Sequence, residues 1–217
     1  MRSGGLGRIA IYTWVYALPV PLAVGMYFVW RHYTSHVGFA LYVSLVPLFY
    51  GYISPGIATN VLHRWRFKGP GVIGSYYLHH GFMYAANMSP LLFLAMAGQG
   101  LDPLTIGSWV RISLVAGGLH GFVLWIHDIL LVRNDMVEIY NRPAREGRSA
   151  EEIVAYYAPL CFFLIGASYA AGSLFAYQQL VLKGQEDGGA IALTWAIASA
   201  PLFVVPGIAY FFLDRSR

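Results

Sequence analysis

The sequence predicts an all-α, polytopic membrane protein with six transmembrane helices and both termini in the cytoplasm. Hydrophobic residues make up 58% of the 217 residues and charged residues only 11%, whereas roughly a quarter of a soluble domain is charged. The apolar residues are gathered in six stretches, each long enough to cross about 30 Å of hydrocarbon as a helix. Because short polar connectors take up the rest, we expect residues 1–217 to form a single transmembrane helical domain.

The third observation is the unequal distribution of basic residues between the two sides of this arrangement. Only Arg31, Arg111 and Lys183 of the 14 Lys and Arg residues fall on the side opposite the termini. The other eleven are Arg2, Arg8, Arg64, Arg66, Lys68, Arg133, Arg142, Arg145, Arg148, Arg215 and Arg217. Basic residues near span ends are retained in the cytoplasm, which predicts cytoplasmic termini and a multi-pass protein of the inner (plasma) membrane of a prokaryote. The same residues account for the pI of about 9.2; we therefore expect membrane lipids, and no nucleic acid, as partners.

The six spans are predicted at residues 9–30, 37–62, 72–98, 108–132, 153–182 and 190–213. The first span is 22 residues long, longer than the apolar core of about 7–15 residues in a signal peptide, so we expect it to remain uncleaved. Helices are the expected structure because hydrocarbon offers no water to the backbone polar groups, and the alternation of a β-barrel is absent. Before the fifth span, Ser149 and Glu152 have the spacing of a capping box that starts a helix.

Small residues in the fourth and fifth spans predict close contacts between helices. Gly117 and Gly121 form a G-x-x-x-G pattern, which allows two helix backbones to approach each other. This pattern predicts packing within the bundle, and it is also compatible with a homo-oligomer or with a place among the subunits of a larger membrane complex.

Ionisable side chains inside the predicted spans are the main candidates for a functional site. His79 and His80 fall in the third span, and His120, His127 and Asp128 fall in the fourth. Because an ionised side chain in hydrocarbon costs at least ~2.5–3.5 kcal/mol, such residues normally face the bundle interior and have a function. At a rise of about 1.5 Å per residue, His80 lies roughly 12 Å and His127 roughly 8 Å from the cytoplasmic face. The two spans therefore place these histidines at similar depths, in the cytoplasmic half.

Helical spacing predicts that several of these residues share a face. His120 and His127 are seven residues apart, so they lie on one side of the fourth helix. Tyr84 follows His80 by four residues and therefore lies on the same stripe of the third helix. The carboxylate of Asp128 could orient an imidazole, as carboxylates do behind metal-bound histidines.

Two cofactors suit this set of residues. Histidines from facing helices can bind a haem b iron axially, which makes His80, His120 and His127 candidate ligands. Tyr84 would lie beside the cofactor, and Gly117 and Gly121 would leave room for the macrocycle. A non-haem metal ion could instead be held by His79, His80, His127 and Asp128, because imidazoles with a carboxylate suit iron with open positions. The simpler alternative is that the imidazoles form hydrogen bonds across helices and stabilise packing.

The sequence therefore predicts membrane redox or lipid chemistry at a His/Asp site between the third and fourth helices, with Asp128 as the candidate catalytic residue. This protein would depend on haem or metal, alone or as a subunit of a larger complex. One alternative is a non-catalytic scaffold subunit that binds lipid, quinone or pigment. Another is a small proton-coupled transporter in which His127 and Asp128 relay protons. The sequence does not decide whether the protein is an enzyme.

Overall fold

The computed structural model describes the backbone of residues 5–214 and the side chains of residues 7–210. Arg2, Arg215 and Arg217, which contribute to the predicted orientation, lie outside the described residues. The helices are α1 (Gly5–Tyr12), α2 (Pro19–Thr34), α3 (Val37–Asn60), α4 (His80–Met96), α5 (Ile106–Arg133), α6 (Arg142–Arg145), α7 (Ala150–Ala155), α8 (Ala158–Ala176) and α9 (Gly188–Asp214). Turns of π-helix, Thr13–Ala17 and Tyr177–Leu182, follow α1 and α8. The short strands are β1 (Trp65–Phe67), β2 (Val72–Ile73), β3 (Tyr76–Tyr77) and β4 (Val137–Ile139).

The predicted all-α class is confirmed, and four helices in the described part of the chain are long and apolar enough to cross a membrane. They are Val37–Asn60, Ile106–Arg133, Ala158–Leu182 and Gly188–Tyr210. A fifth is reached if the bent pair Gly7–Ala17 and Pro19–Thr34 is counted as one span. Helix α4 has 17 residues, which is shorter than the roughly 20 residues that span the hydrocarbon core.

The first predicted span is bent by 59° between Ala17 and Pro19. Proline has no N–H to donate to the preceding turn, and its ring crowds the carbonyl group four residues earlier. The chain reaches this point through the π-helical turn, which widens the helix before the break. The N-terminal segment is thus helical, as predicted, but it is not straight.

The third predicted span, 72–98, is wrong at its beginning. Strands β2 and β3 pair as an antiparallel hairpin with Val72 opposite Tyr77 and Ile73 opposite Tyr76, and helix begins only at His80. Gly74, in the hairpin loop, has a φ of +64°, a conformation that glycine adopts without steric cost. The paired residues are β-branched and aromatic and therefore suit a strand as well as a membrane helix.

A second two-stranded sheet joins the connector after α3 to the connector after α5. Strands β1 and β4 are antiparallel, with Trp65 opposite Ile139 and Phe67 opposite Val137. Beside them, Lys68 Nζ lies 2.9 Å from Asp135 Oδ1, and this hydrogen bond raises the pKa of Lys68. The sheet therefore holds two of the basic connectors together at one end of the bundle.

The fifth predicted span begins as two separate helices. The predicted capping box is confirmed: Ser149 and Glu152 exchange hydrogen bonds with each other's backbone N–H. The helix it starts, α7, ends after six residues, and α8 begins at Ala158 with Pro159 in its first turn. Because proline is favoured in the first turn of a helix, Pro159 suits the start of a new helix here, and the chain is broken at Tyr156 and Tyr157.

Helices α5 and α8 pack closely through glycines, as the small-residue pattern predicts. A Cβ atom at Gly117 would lie 2.9 Å from the Phe163 carbonyl oxygen, and one at Gly166 would lie 2.6 Å from the His120 ring. Side chains larger than hydrogen do not fit at these positions without movement. Gly118, by contrast, is exposed and has open space beside it.

Candidate functional site

A cavity of about 300 Å³ lies within the bundle and is lined by residues of α3, α4, α5, α8 and α9, with β1 and β4 at one end. Most of its wall is apolar and aromatic. Representative lining residues are Tyr50, Phe67, Leu124, Leu131, Phe162 and Phe203. A mainly hydrophobic cavity with a few convergent polar groups is the usual form of a small-molecule site. The ionisable groups here are on α4 and α5, and Tyr157, just before α8, lies next to them.

The polar centre of the cavity wall is Asp128, which holds two neighbouring side chains. Tyr157 Oη donates a hydrogen bond of 2.6 Å to Asp128 Oδ2. His127 Nδ1 lies 3.2 Å from Asp128 Oδ1. The side chains of His127 and Asp128 are only 10% and 15% exposed. His127, Asp128 and Tyr157 are therefore a hydrogen-bonded unit, here called the His–Asp–Tyr unit.

The hydrogen bond to Asp128 also determines what His127 offers to the cavity. In the tautomer whose hydrogen is on Nδ1, His127 donates this bond to the Asp128 carboxylate. In the neutral ring Nε2 is then an acceptor. This Nε2 atom is buried and has no hydrogen-bond partner among the described residues, although buried polar atoms normally have one. In this tautomer Nε2 of His127 can accept a hydrogen bond from a ligand.

His80 is a second polar residue in the wall of the same cavity. It is only 3% exposed, and its ring packs against Phe67 and Tyr84, with ring centroids 4.7 Å and 5.4 Å away. Its Nδ1 atom is also buried without a partner among the described residues. As the first residue of α4, His80 lies at the end of the helix next to the hairpin, not two turns inside a longer span. Tyr84, which was predicted to line a cofactor site, lines this cavity.

The other two candidate histidines point elsewhere. His79 Nε2 lies 2.8 Å from the Val15 carbonyl oxygen, and its ring stacks on Tyr77 at 5.3 Å. His120 Nδ1 lies 2.8 Å from the Ala116 carbonyl oxygen, while its ring faces Gly166 of α8. Neither side chain belongs to the cavity wall. The structure therefore brings together His80, His127, Asp128 and Tyr84, and it leaves His79 and His120 outside.

The four predicted metal ligands are not assembled around one point. Among the described residues, no group of three or more His, Cys, Asp or Glu side chains is arranged to hold a metal ion. His79 is turned towards Val15, and both carboxylate oxygens of Asp128 are already engaged. The space that Gly117 was expected to leave for a macrocycle is occupied by the backbone of α8 at Phe163.

Tyr157 completes the site, although no sequence pattern predicts a role for it. Its hydroxyl reaches Asp128 from 29 residues along the chain, because the break between α7 and α8 directs it back towards α5. The only local signal is Pro159, two residues after Tyr157, because proline is favoured at the start of a helix. Cys161, a buried free cysteine, also lines the cavity.

No family model, curated protein or solved structure matches this chain. A functional assignment therefore depends on the cavity and its polar atoms. Chemically, the wall offers aromatic and aliphatic contact on most sides, an acceptor at His127 Nε2 and an unsatisfied nitrogen at His80. These features suit an apolar ring that carries hydroxyl or carbonyl oxygens.

Proposed function

We propose that this chain is a multi-pass membrane protein that binds a lipid-soluble ring compound of the quinone–quinol class in the cavity. The His–Asp–Tyr unit contacts one oxygen of the ring, and His80 contacts another. The aromatic and aliphatic side chains enclose the ring. Bound in this way, the ligand is positioned for membrane redox or lipid chemistry, with Asp128 fixing the proton of His127.

The observation that carries this proposal is that two histidines of one apolar cavity wall, His80 and His127, each have a buried ring nitrogen without a hydrogen-bond partner among the described residues. Leaving a buried polar atom unsatisfied costs about 1–3 kcal/mol. A ligand that satisfies both atoms recovers this cost on binding. His127 Nε2 can accept from the hydroxyl of a quinol, and His80 can donate to or accept from the oxygen on the opposite side of the ring.

A ring fits this cavity better than an acyl chain does. Aromatic side chains such as Phe67 and Tyr84 line the wall close to His80, and rings pack favourably against other rings in offset or edge-on geometry. An acyl chain carries no polar atom along its length, so it would leave both imidazole nitrogens unsatisfied. Lipids remain the general surroundings of the bundle in this proposal.

The proposal includes six passes through the inner membrane of a prokaryote. Helix α4 is then a short pass of roughly 25 Å at 1.5 Å per residue, and the β2–β3 hairpin occupies the remaining depth. The bent pair α1–α2 counts as one pass. The end of the bundle with the β1–β4 sheet is cytoplasmic, because the basic residues Arg64, Arg66, Lys68 and Arg133 gather there and such residues are retained in the cytoplasm.

A haem b or a metal ion, held between His80 and His127, is the second candidate. The same observation favours it: the histidines with unpartnered ring nitrogens, on α4 and α5, line one cavity, and axial haem ligation uses two histidines from facing helices. The quinone–quinol ligand accounts better for the His–Asp–Tyr unit. The carboxylate of Asp128 is engaged with Tyr157 and serves as an orienting group, so it is not a third ligand.

The test is to purify the full chain from the membrane in mild detergent and to measure binding of decylubiquinone. Quinones quench tryptophan fluorescence, and Trp65 lines the cavity, so saturable quenching reports occupancy. We expect His127→Leu and His80→Leu each to weaken binding about tenfold, which corresponds to one lost hydrogen bond of about 1.4 kcal/mol. His32→Leu is the matched control because His32 is exposed on α2, and its affinity should equal that of the wild type.

Two outcomes would overturn the proposal. One is quenching by decylubiquinone that does not saturate in the wild type. The other is an absorption spectrum with a haem Soret band, or a stoichiometric metal content, that is lost in both His80→Leu and His127→Leu; this result establishes the second candidate instead.

A further inference from the structure

The cavity is not closed on all sides, and its wall reaches the outer surface of the bundle between α3 and α9. Ile57 and Leu62, at the C-terminal end of α3 and just beyond it, line the cavity and are both 47% exposed. On the opposite side, Gly207 of α9 lines the cavity and is exposed. Residues that are both lining and exposed mark an opening, here called the α3–α9 opening.

Glycine at position 207 leaves one edge of this opening without a side chain. A Cβ atom at Gly207 would have no other heavy atom within 4 Å, so the space beside it is free. The neighbouring Pro206 is buried and also lines the cavity, and proline removes one backbone hydrogen bond from the helix interior. The opening is thus bordered on the α9 side by a helix segment that lacks both a side chain and a backbone bond.

The surface around the opening is apolar. Ile53 and Ile57 of α3 are 48% and 47% exposed, and Val204 and Ile208 of α9 are each 53% exposed. Both helices are long and apolar enough to cross a membrane. In the proposed arrangement the opening therefore faces lipid and is surrounded by apolar side chains.

We infer that the ligand enters sideways from the bilayer through the α3–α9 opening, and that it carries a hydrocarbon tail that remains in the opening while the ring lies against His80 and the His–Asp–Tyr unit. This inference rests on the proposed function, which supplies the ring. The wall supplies the rest: the ionisable side chains of the lining, His80, His127 and Asp128, lie on α4 and α5, whereas the lining residues of α3 and α9 that are exposed at the opening, Ile57 and Gly207, are apolar. A molecule with a polar ring at one end and an apolar tail at the other satisfies both sides.

The test compares association rates of decylubiquinone in nanodiscs by stopped-flow tryptophan quenching. Gly207→Phe places a large side chain in the opening, and we expect the association and dissociation rate constants both to fall at least tenfold. Gly118→Phe is the matched control. Gly118 is also an exposed helical glycine with no atom within 4 Å of its Cβ position, but it does not line the cavity. Its rate constants should stay within twofold of the wild type.

A second variant gives a change in the opposite direction, which a folding defect does not produce. Ile57→Ala widens the opening at a half-exposed position, and we expect at least a twofold faster association. If the wild type binds but Gly207→Phe associates within twofold of it, or if Ile57→Ala shows no increase, sideways access is overturned while the proposed function stands. If the wild type does not bind decylubiquinone at all, the proposed function itself fails.

Discussion

His79 Nε2 lies 2.8 Å from the carbonyl oxygen of Val15, four residues before a proline. In an α-helix this oxygen accepts from the N–H of residue 19, but Pro19 has none. A carbonyl oxygen accepts hydrogen bonds only, so His79 donates, and it supplies the bond that Pro19 cannot make. His79 and His80 are thus adjacent in sequence and different in role: one joins the bent N-terminal helix to the base of α4, and the other faces the cavity.

The first prediction separates these two roles. His79→Leu leaves the Val15 carbonyl oxygen without this donor, which should lower the free energy of unfolding by about 1–3 kcal/mol and the Tm by several degrees. His80→Leu removes an unpartnered polar atom and should leave the Tm unchanged or raise it. Thermal unfolding in detergent, followed by circular dichroism, measures both; equal losses of stability would contradict the distinction.

The second prediction concerns the hydroxyl of Tyr157. Tyr157→Phe keeps the ring in place but removes the 2.6 Å hydrogen bond to Asp128. Asp128 then orients His127 less firmly, and we expect decylubiquinone to bind about three- to tenfold more weakly, the range of a lost hydrogen bond of about 0.7–1.4 kcal/mol. Tyr33→Phe is the control, since Tyr33 is 38% exposed and does not line the cavity. Unchanged affinity in Tyr157→Phe would remove Tyr157 from the site.

The sequence predicted the helical class well because apolar composition over 20 residues is a strong signal for helices in lipid. It failed at residues 72–79, where most side chains are apolar or aromatic but residues 72–77 form a hairpin. Hydropathy measures the preference of side chains for hydrocarbon and is insensitive to the turn at Gly74, whose φ of +64° ends any helix. The same error placed His80 too far along a helix.

The candidate site was predicted in part for a related reason. His127, Asp128 and His80 could be grouped because they lie in consecutive predicted spans, and all three line the cavity. His120 has the correct seven-residue spacing from His127, but its ring packs against Gly166 of α8. Tyr157 could not be found, because its position depends on the break before Pro159 and on the packing of α8 against α5.

The third prediction tests that packing with two neighbouring glycines. At Gly117 an added Cβ would lie 2.9 Å from the Phe163 carbonyl oxygen, so Gly117→Ala must push α5 and α8 apart and should cost about 1–3 kcal/mol. At Gly118 there is open space, and alanine should stabilise the helix by up to about 1 kcal/mol. The Tm should therefore move in opposite directions in the two variants; a shift of the same sign in both would contradict the close contact.

The fourth prediction concerns the capping box that starts α7. The Ser149 hydroxyl and backbone N–H both lie within hydrogen-bond distance of Glu152 Oε2, and these bonds lower the pKa of the Glu152 carboxyl. A carboxyl whose pKa is depressed by folding stabilises the helix above its unfolded pKa, and this contribution is lost as the pH falls through the folded value. The start of α7 should therefore loosen only under acid conditions, and above the pKa of an unfolded Glu the capping box is fully formed.

Ser149→Ala provides the direct measurement, because it removes the hydroxyl bond and leaves the carboxyl in place. We expect the pKa of Glu152, followed by carbon NMR of its carboxyl group, to rise towards its ordinary value in this variant. Glu152→Gln keeps a side chain that can accept from the Ser149 N–H but does not titrate in this range. Protection of the Ser149 amide from hydrogen exchange, corrected for the intrinsic rate, should then lose its dependence on pH; a dependence that persists would assign the acid loosening to another group.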